Sequence, residues 1–179
     1  MLTPGEVHVW RVRLAPASQD QAHAALHAIL RAHTAAPLDF ARRERGKPYL
    51  PHSPALKFNL SHSHGMALVG VALDVEIGVD IERLRPLAEH QAIAERFFPP
   101  SEARALAAAP EREREREFFR RWTRIEAMLK ATGEGLYGAG SELGGEWTVQ
   151  EVDAGEGFAA AVAAARAGMT VHTHDFVWG

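Results

Sequence analysis

Four side chains in this sequence could together handle a phosphate ester and a divalent cation. Asp80 and Glu82 sit two residues apart in GVDIE (78–82), and Glu126 and Lys130 sit four apart in WTRIEAMLKATGEGL (122–136). A spacing of two on an extended strand sends both carboxylates to one face. A spacing of four on a helix sets Glu126 one turn before Lys130, with Trp122 one turn further back. Three hard oxygen donors suit Mg²⁺ or Mn²⁺, above all where phosphate oxygens and water complete an octahedron. Lys130 would neutralise charge on the same phosphate. Each motif alone also has an ordinary reading: a solvated strand end, and an exposed helix ion pair worth a few tenths of a kcal/mol.

Other residues permit other chemistry. Ser61, His62 and His64 (SHSH), joined by His172 and His174, have the alternating spacing of a strand-borne zinc site. Ser61 and His62, with Arg45 and Lys47, would equally suit an anion. A Ser–His hydrolase is disfavoured: adjacent strand residues point apart, and no G-x-S-x-G elbow is present. A nucleotide hydrolase is weakened by the lack of a G-x-x-x-x-G-K-[ST] loop.

The elements that must position these groups follow from periodicity. A first strand is expected over residues 6–14, and Ser18 with Gln21 makes a capping-box signature for a helix reaching His33. Residues 45–48 read as a loop, and Pro51 and Pro54 keep the chain irregular until Phe58. Met66–Leu73 suits a buried strand, Asp74–Glu76 a turn, and Ile77–Glu82 a returning strand with Ile81 facing the core. Helices are expected over 87–97, 101–109 and 111–131, the last opening on alternating charges. A glycine-rich segment (133–145) and strands over 146–152 and 170–177 follow. Residues 158–167 are ambiguous: their alanines favour helix, their position a strand.

The chain has 179 residues, 46% hydrophobic and 24% charged, with a formal net charge of −3. That is an ordinary globular composition with a substantial core. The mild acidity argues against broad nucleic-acid binding. The absence of cysteine excludes disulfides and thiol catalysis and suits a reducing compartment. No signal-like start or 18-residue apolar run is present, so a cytoplasmic protein without membrane association is expected.

The segments GKP (46–48), FNLSHS (58–63), GVDIE (78–82), RFFPPSE (96–102) and WTRIEAMLKATGEGL (122–136) together resemble the Sfp-type 4′-phosphopantetheinyl transferases, in order and near-family spacing. The resemblance implies an α+β fold that is a pseudo-dimer of two similar halves, here 1–84 and 85–179, with the active site between them. It implies a monomer that moves the 4′-phosphopantetheine arm of coenzyme A to a serine of an acyl, aryl or peptidyl carrier protein, releasing adenosine 3′,5′-bisphosphate. Such carriers are acidic and serve fatty acid, polyketide or nonribosomal peptide synthesis. Asp80, Glu82 and Glu126 match the Mg²⁺ ligands, and Lys130 the pyrophosphate contact. Ser61 and His62 match the 3′-phosphate site; Lys47 and Pro48, with Arg45 nearby, match the loop near the adenine; Arg31 matches a phosphate-binding arginine. Glu126, directly or through a metal-bound water, would take the serine proton, with Glu102 the second candidate. The arginines at 112, 114, 116, 120, 121 and 124 cluster before the catalytic stretch, and some of them are expected to meet the carrier. A non-catalytic coenzyme A or nucleotide binder of the same fold is the alternative reading.

Overall fold

The computed structural model describes residues 2–15, 19–133 and 145–178. Ser18 and most of the glycine-rich segment lie outside the described residues. Among the described residues nine strands and four helices follow one another as β1 (Glu6–Arg13), α1 (Gln19–Arg31), β2 (Ala41–Arg42), β3 (Pro48–Tyr49), β4 (Leu56–Ser63), β5 (Met66–Leu73), β6 (Ile77–Arg83), α2 (His90–Phe97), α3 (Pro100–Ala108), α4 (Glu111–Thr132), β7 (Thr148–Glu151), β8 (Phe158–Ala164) and β9 (Thr170–Asp175). The class is α+β. No helix among the described residues is long and apolar enough to cross a membrane.

Two sheets carry the structure. The first has the order β4-β5-β1-β9 and the second β6-β8-β7, while β2 and β3 form a small separate ribbon. All pairings in the two main sheets are antiparallel except β1 with β9, which is parallel. Alternation sends Val7, Val9, Leu68 and Ala72 of the first sheet against Ile77, Val79, Ile81, Ala160 and Val162 of the second, forming the central core. Gly70 is required there: a Cβ on it would lie 2.8 Å from Val79 Cγ1.

Helices cover the outer faces. In α1, Ala22, Ala25, Leu26, Ile29 and Leu30 recur at helical spacing and bury against Leu50, Phe58, Val69 and Val71 of the first sheet and its flanks. In α4 the first half packs Phe118 and Phe119 into an aromatic cluster with Phe98 and Leu106, which α2 and α3 complete. Its second half lies on the second sheet through Ala127, against Ala161 and Ala163. Gly133 ends α4 in the left-handed region (φ 76°), donating its N–H to the Leu129 carbonyl.

Several expectations are corrected. β5 and β6 are not hairpin partners. The connection at Asp74 (φ 56°) sends β6 out of the first sheet into the second. Leu56–Ser63 is a full strand despite the prolines before it, because Leu56 and Phe58 on one face and Asn59 and Ser61 on the other are all buried. Residues 158–164 are the middle strand of the second sheet, since packing between two layers overrides alanine's helical preference. Strand membership also crosses residue 84: β6 belongs to the second sheet, and β9 returns to the first.

Candidate functional site

The site lies where β4 of the first sheet runs beside β6 of the second. Neighbouring edges would normally join through backbone bonds, but here a row of β4 side chains makes the connection. Asn59, Ser61 and Ser63 share the face of β4 that turns away from α1. Asn59 Oδ1 accepts the Val79 amide at 2.9 Å, Ser61 Oγ donates to Asp80 Oδ1 at 2.9 Å, and Ser63 Oγ accepts the Arg83 amide at 3.2 Å. On β6, Gly78, Asp80 and Glu82 form the face toward α4.

Gly78 sets how close α4 comes. A Cβ there would sit 2.0 Å from the Ala127 carbonyl oxygen and 2.6 Å from the Ala131 nitrogen, so no other residue admits this approach. With the helix backbone laid on the strand, Lys130 reaches across. Its Nζ donates to Asp80 Oδ1 at 2.5 Å and to Ser61 Oγ at 3.1 Å. An ammonium has three N–H donors, and the described residues take two of them.

Asp80 is buried, and its second oxygen, Oδ2, has no hydrogen-bond partner among the described residues. A buried carboxylate oxygen left unsatisfied is costly and points to a ligand. Glu126 stands beside it. Burial first, then the neighbouring Asp80 charge, raise the Glu126 carboxyl above its ordinary range; Lys130 opposes this and Glu82 adds to it. Glu82 accepts from Arg85 Nη1 at 3.2 Å and Ser63 Oγ at 3.4 Å. Among the described residues the compact group of potential metal ligands is instead Glu6, His8 and His172, on β1 and β9 and away from the β4 edge. The donor chemistry fits a hard divalent cation: carboxylate oxygens only, one of them buried and without a partner among the described residues.

The other sequence-derived residues divide. His62 follows Ser61 on the opposite face of β4 and is exposed. Lys47 is buried, its Nζ donating to Glu76 Oε2 (2.7 Å), the Ile77 carbonyl (3.0 Å) and the Ala131 carbonyl (2.6 Å). All three donors are therefore spent on protein, fastening the end of α4 to the start of β6. A cation in this place also complements the negative end of the helix dipole. Pro48 begins β3 and Arg45 lies in the turn of the β2–β3 ribbon. Arg31 donates to the Ala36 carbonyl at 2.9 Å, closing the connection after α1. Glu102 accepts from Arg121 Nε at 2.9 Å, and Arg121 also grips Glu117.

Among the proposed docking arginines, Arg120 is committed to Glu117 and Glu151, and Arg114 to the Ala109 carbonyl. Arg116 lines an open cleft of about 810 Å³ beside the β7–β8 connection. His172 and His174 are not near His62 and His64. β4 and β9 are opposite edges of the first sheet, three strand spacings or roughly 14 Å apart, so the expected zinc set does not assemble. Residue types and spacing did not single out two residues that shape this junction, Gly78 and Asn59. Gly78 carried a signal, a glycine inside a strand, which marks close backbone approach.

Residues 76–166 match the family model described as the 4′-phosphopantetheinyl transferase superfamily. The chain is 45% identical over 100 residues to the 4′-phosphopantetheinyl transferase HetI of Nostoc sp. (strain PCC 7120), covering 54% of this chain and 42% of that protein. It is 36% identical over 97 residues to the 4′-phosphopantetheinyl transferase Sfp of Bacillus subtilis (strain 168), covering 54% and 42%. It is 33% identical over 125 residues to the 4′-phosphopantetheinyl transferase AcpT of Escherichia coli (strain K12), covering 69% and 59%. The chain thus spans about half the length of the relatives it matches.

Proposed function

Because the chain belongs to the 4′-phosphopantetheinyl transferase superfamily, we propose that it transfers the 4′-phosphopantetheine arm of coenzyme A to a serine hydroxyl of a carrier protein. The observation that carries this reading is the buried Asp80, one oxygen tied to Lys130 and Ser61 and the other without a partner among the described residues, beside the Glu126 carboxyl. Asp80, Glu82 and Glu126 would hold Mg²⁺, or Mn²⁺, which when bound supplies Lewis-acid neutralisation of the pyrophosphate.

The remaining steps belong to the chain. Lys130, fixed by Asp80 and Ser61, offers an N–H to a non-bridging phosphate oxygen, where charge grows as the serine oxygen attacks the β-phosphorus. Glu126 is the proposed acceptor of the serine proton. Glu102 is the lesser candidate, since Arg121 already occupies it. The new bond joins serine Oγ to phosphorus, the old phosphoanhydride bond breaks, and adenosine 3′,5′-bisphosphate leaves with the bonding electrons.

For the nucleotide, His62, Arg45 and Pro48 are the proposed contacts, with Lys47 supporting that loop from beneath. Arg31 is proposed as a further phosphate contact. The shared connectivity of the two sheets supports reading the fold as a pseudo-dimer. β1, α1, β4, β5 and β6, α4, β7, β8 each run strand, helix, strand, strand, and in each the last strand lies between the other two. On this reading the halves divide near residue 75, ahead of the boundary first expected at 84, and a single chain supplies the whole site as a monomer. An acidic carrier of fatty acid, polyketide or nonribosomal peptide synthesis is the proposed partner, met in the cytoplasm, with Arg116 among its contacts.

The test is to incubate the protein with coenzyme A, Mg²⁺ and a panel of apo carrier proteins, and to weigh the carriers by mass spectrometry. Gain of one phosphopantetheine mass is expected, lost on chelation and in Glu126→Gln. Coenzyme A binding with no mass gain on any carrier would instead establish the non-catalytic binder.

A further inference from the structure

We propose that Glu6, His8 and His172 form a binding site for one Zn²⁺ ion, separate from the carboxylate junction, that fastens β9 to β1. The parallel register of these strands sets His8 directly beside His172 and Trp10 beside His174. Glu6 precedes His8 by two residues and so shares its face. Three potential ligands thus meet on one patch of sheet, drawn from opposite ends of the sequence.

The distances fit the ion. His8 Nε2 lies 3.4 Å from Glu6 Oε2, and His172 Nε2 lies 3.6 Å from Glu6 Oε1. One ligand atom from each of the three residues falls within 4.8 Å of the others. Zinc–ligand bonds of about 2.0–2.1 Å in tetrahedral geometry place neighbouring ligand atoms about 3.4 Å apart, and the two His–Glu contacts, each to its own oxygen of Glu6, lie near that length. The Thr3 amide donates to Glu6 Oε2 at 3.2 Å and aims the carboxylate across the strands.

The surroundings are those of a ligand set. His8 Nδ1 and His174 Nε2 are 2.9 Å apart. With His8 Nε2 given to the metal, its proton resides on Nδ1 and is donated to His174, the outer contact that orients a metal-bound imidazole. His174 is itself fixed by stacking on Trp10, at 5.0 Å between ring centres. The side chains of His8, Glu6 and His172 are 13%, 29% and 42% exposed, so an ion can enter and water can take the fourth position. Two imidazoles and one carboxylate select Zn²⁺ over Mg²⁺, which takes oxygen ligands in an octahedron.

The test uses the full-length, metal-stripped protein in excess Mg²⁺, so that the Asp80 site does not compete. Zn²⁺ is titrated against a chromophoric chelator, Co²⁺ uptake is followed in the visible spectrum, and melting is recorded with and without Zn²⁺. One equivalent of Zn²⁺, a tetrahedral Co²⁺ spectrum and a raised melting temperature are expected. His172→Ala and, independently, His8→Gln should remove all three signals. His174→Ala should keep the stoichiometry and weaken binding roughly 10- to 100-fold. His64→Asn, at a histidine outside the cluster, should leave all three signals unaltered. Failure of the parent chain to take up Zn²⁺, or uptake unaltered in both His172→Ala and His8→Gln, overturns the proposal.

Discussion

The two helices that cover the sheets pack in opposite ways. α1 meets the first sheet through Leu26, Ile29 and Leu30 against Leu50, Phe58, Val69 and Val71. The second half of α4 meets the second sheet through Ala127 against Ala161 and Ala163, with no side chain at all on Gly78. Large aliphatics bury more area, about 1.5–3 kcal/mol for each side chain, and hold helix and sheet apart. Small residues forgo that gain and bring backbone against backbone. Only the second arrangement lets Glu126 and Lys130 reach Asp80 from a helix turn above it. The aromatic cluster of Phe98, Phe118, Phe119 and Trp122 then anchors α4 where its chemical half cannot.

The contrast can be broken from either side. The largest stability loss belongs to the thick interface: Leu30→Ala, fully buried, should cost about 2–5 kcal/mol in denaturant unfolding. Carrier loading per folded molecule should stay unchanged, and a fall in that rate would show that the two interfaces are not independent. Gly78→Ala acts on the thin one. Its methyl group must displace the Ala127 carbonyl, at about 1–3 kcal/mol, and loading should be lost even where the protein remains folded. Normal loading by a folded Gly78→Ala would refute the close-approach account.

The smallest effect concerns the anchor at the end of α4. Burial pushes the Glu76 carboxyl up, but the hydrogen bond and charge of Lys47, with Lys57 and Arg43, outweigh it and hold Glu76 below the ordinary value of 4.5. A depressed carboxyl stabilises the fold above that value, and the contribution disappears as pH falls through its lower folded value. Glu76→Gln should therefore lower stability by on the order of 1 kcal/mol at pH 7. The deficit should shrink once the pH drops below 4.5. A deficit that stays constant into acid would exclude the ion pair as its source.

The chemistry was more legible in the sequence than the scaffold. Asp80 with Glu82, and Glu126 with Lys130, announce a shared face by spacing alone, and their charges limit what they can hold. Which face meets which is a long-range fact. The turn after β5 reads like a hairpin turn, and local rules do not tell that its two strands part into different sheets. The histidines at 172 and 174 drew notice, yet their neighbours proved to be His8 and Glu6, through a parallel pairing that leaves no local mark. Lys47 hid its place for a related reason: a lysine between glycine and proline reads as a loop residue open to an anion, and only the end of α4 makes it an interior one. The alanines of β8 show local preference overruled by the need for a thin layer.

The parallel pairing of β1 with β9 has a consequence for the newborn chain. Arg11 and Asp175, ion-paired across those strands, are 164 residues apart, so closing that loop costs about 4–5 kcal/mol of chain entropy. At roughly 5–20 residues per second on the ribosome, β1 waits roughly 8–33 s for the strand that completes its sheet. Through that interval its outer edge is open to any extended segment. Glu6, Arg11 and Arg13 along β1 place charge on that edge, a composition that discourages premature partners until the rightful one arrives.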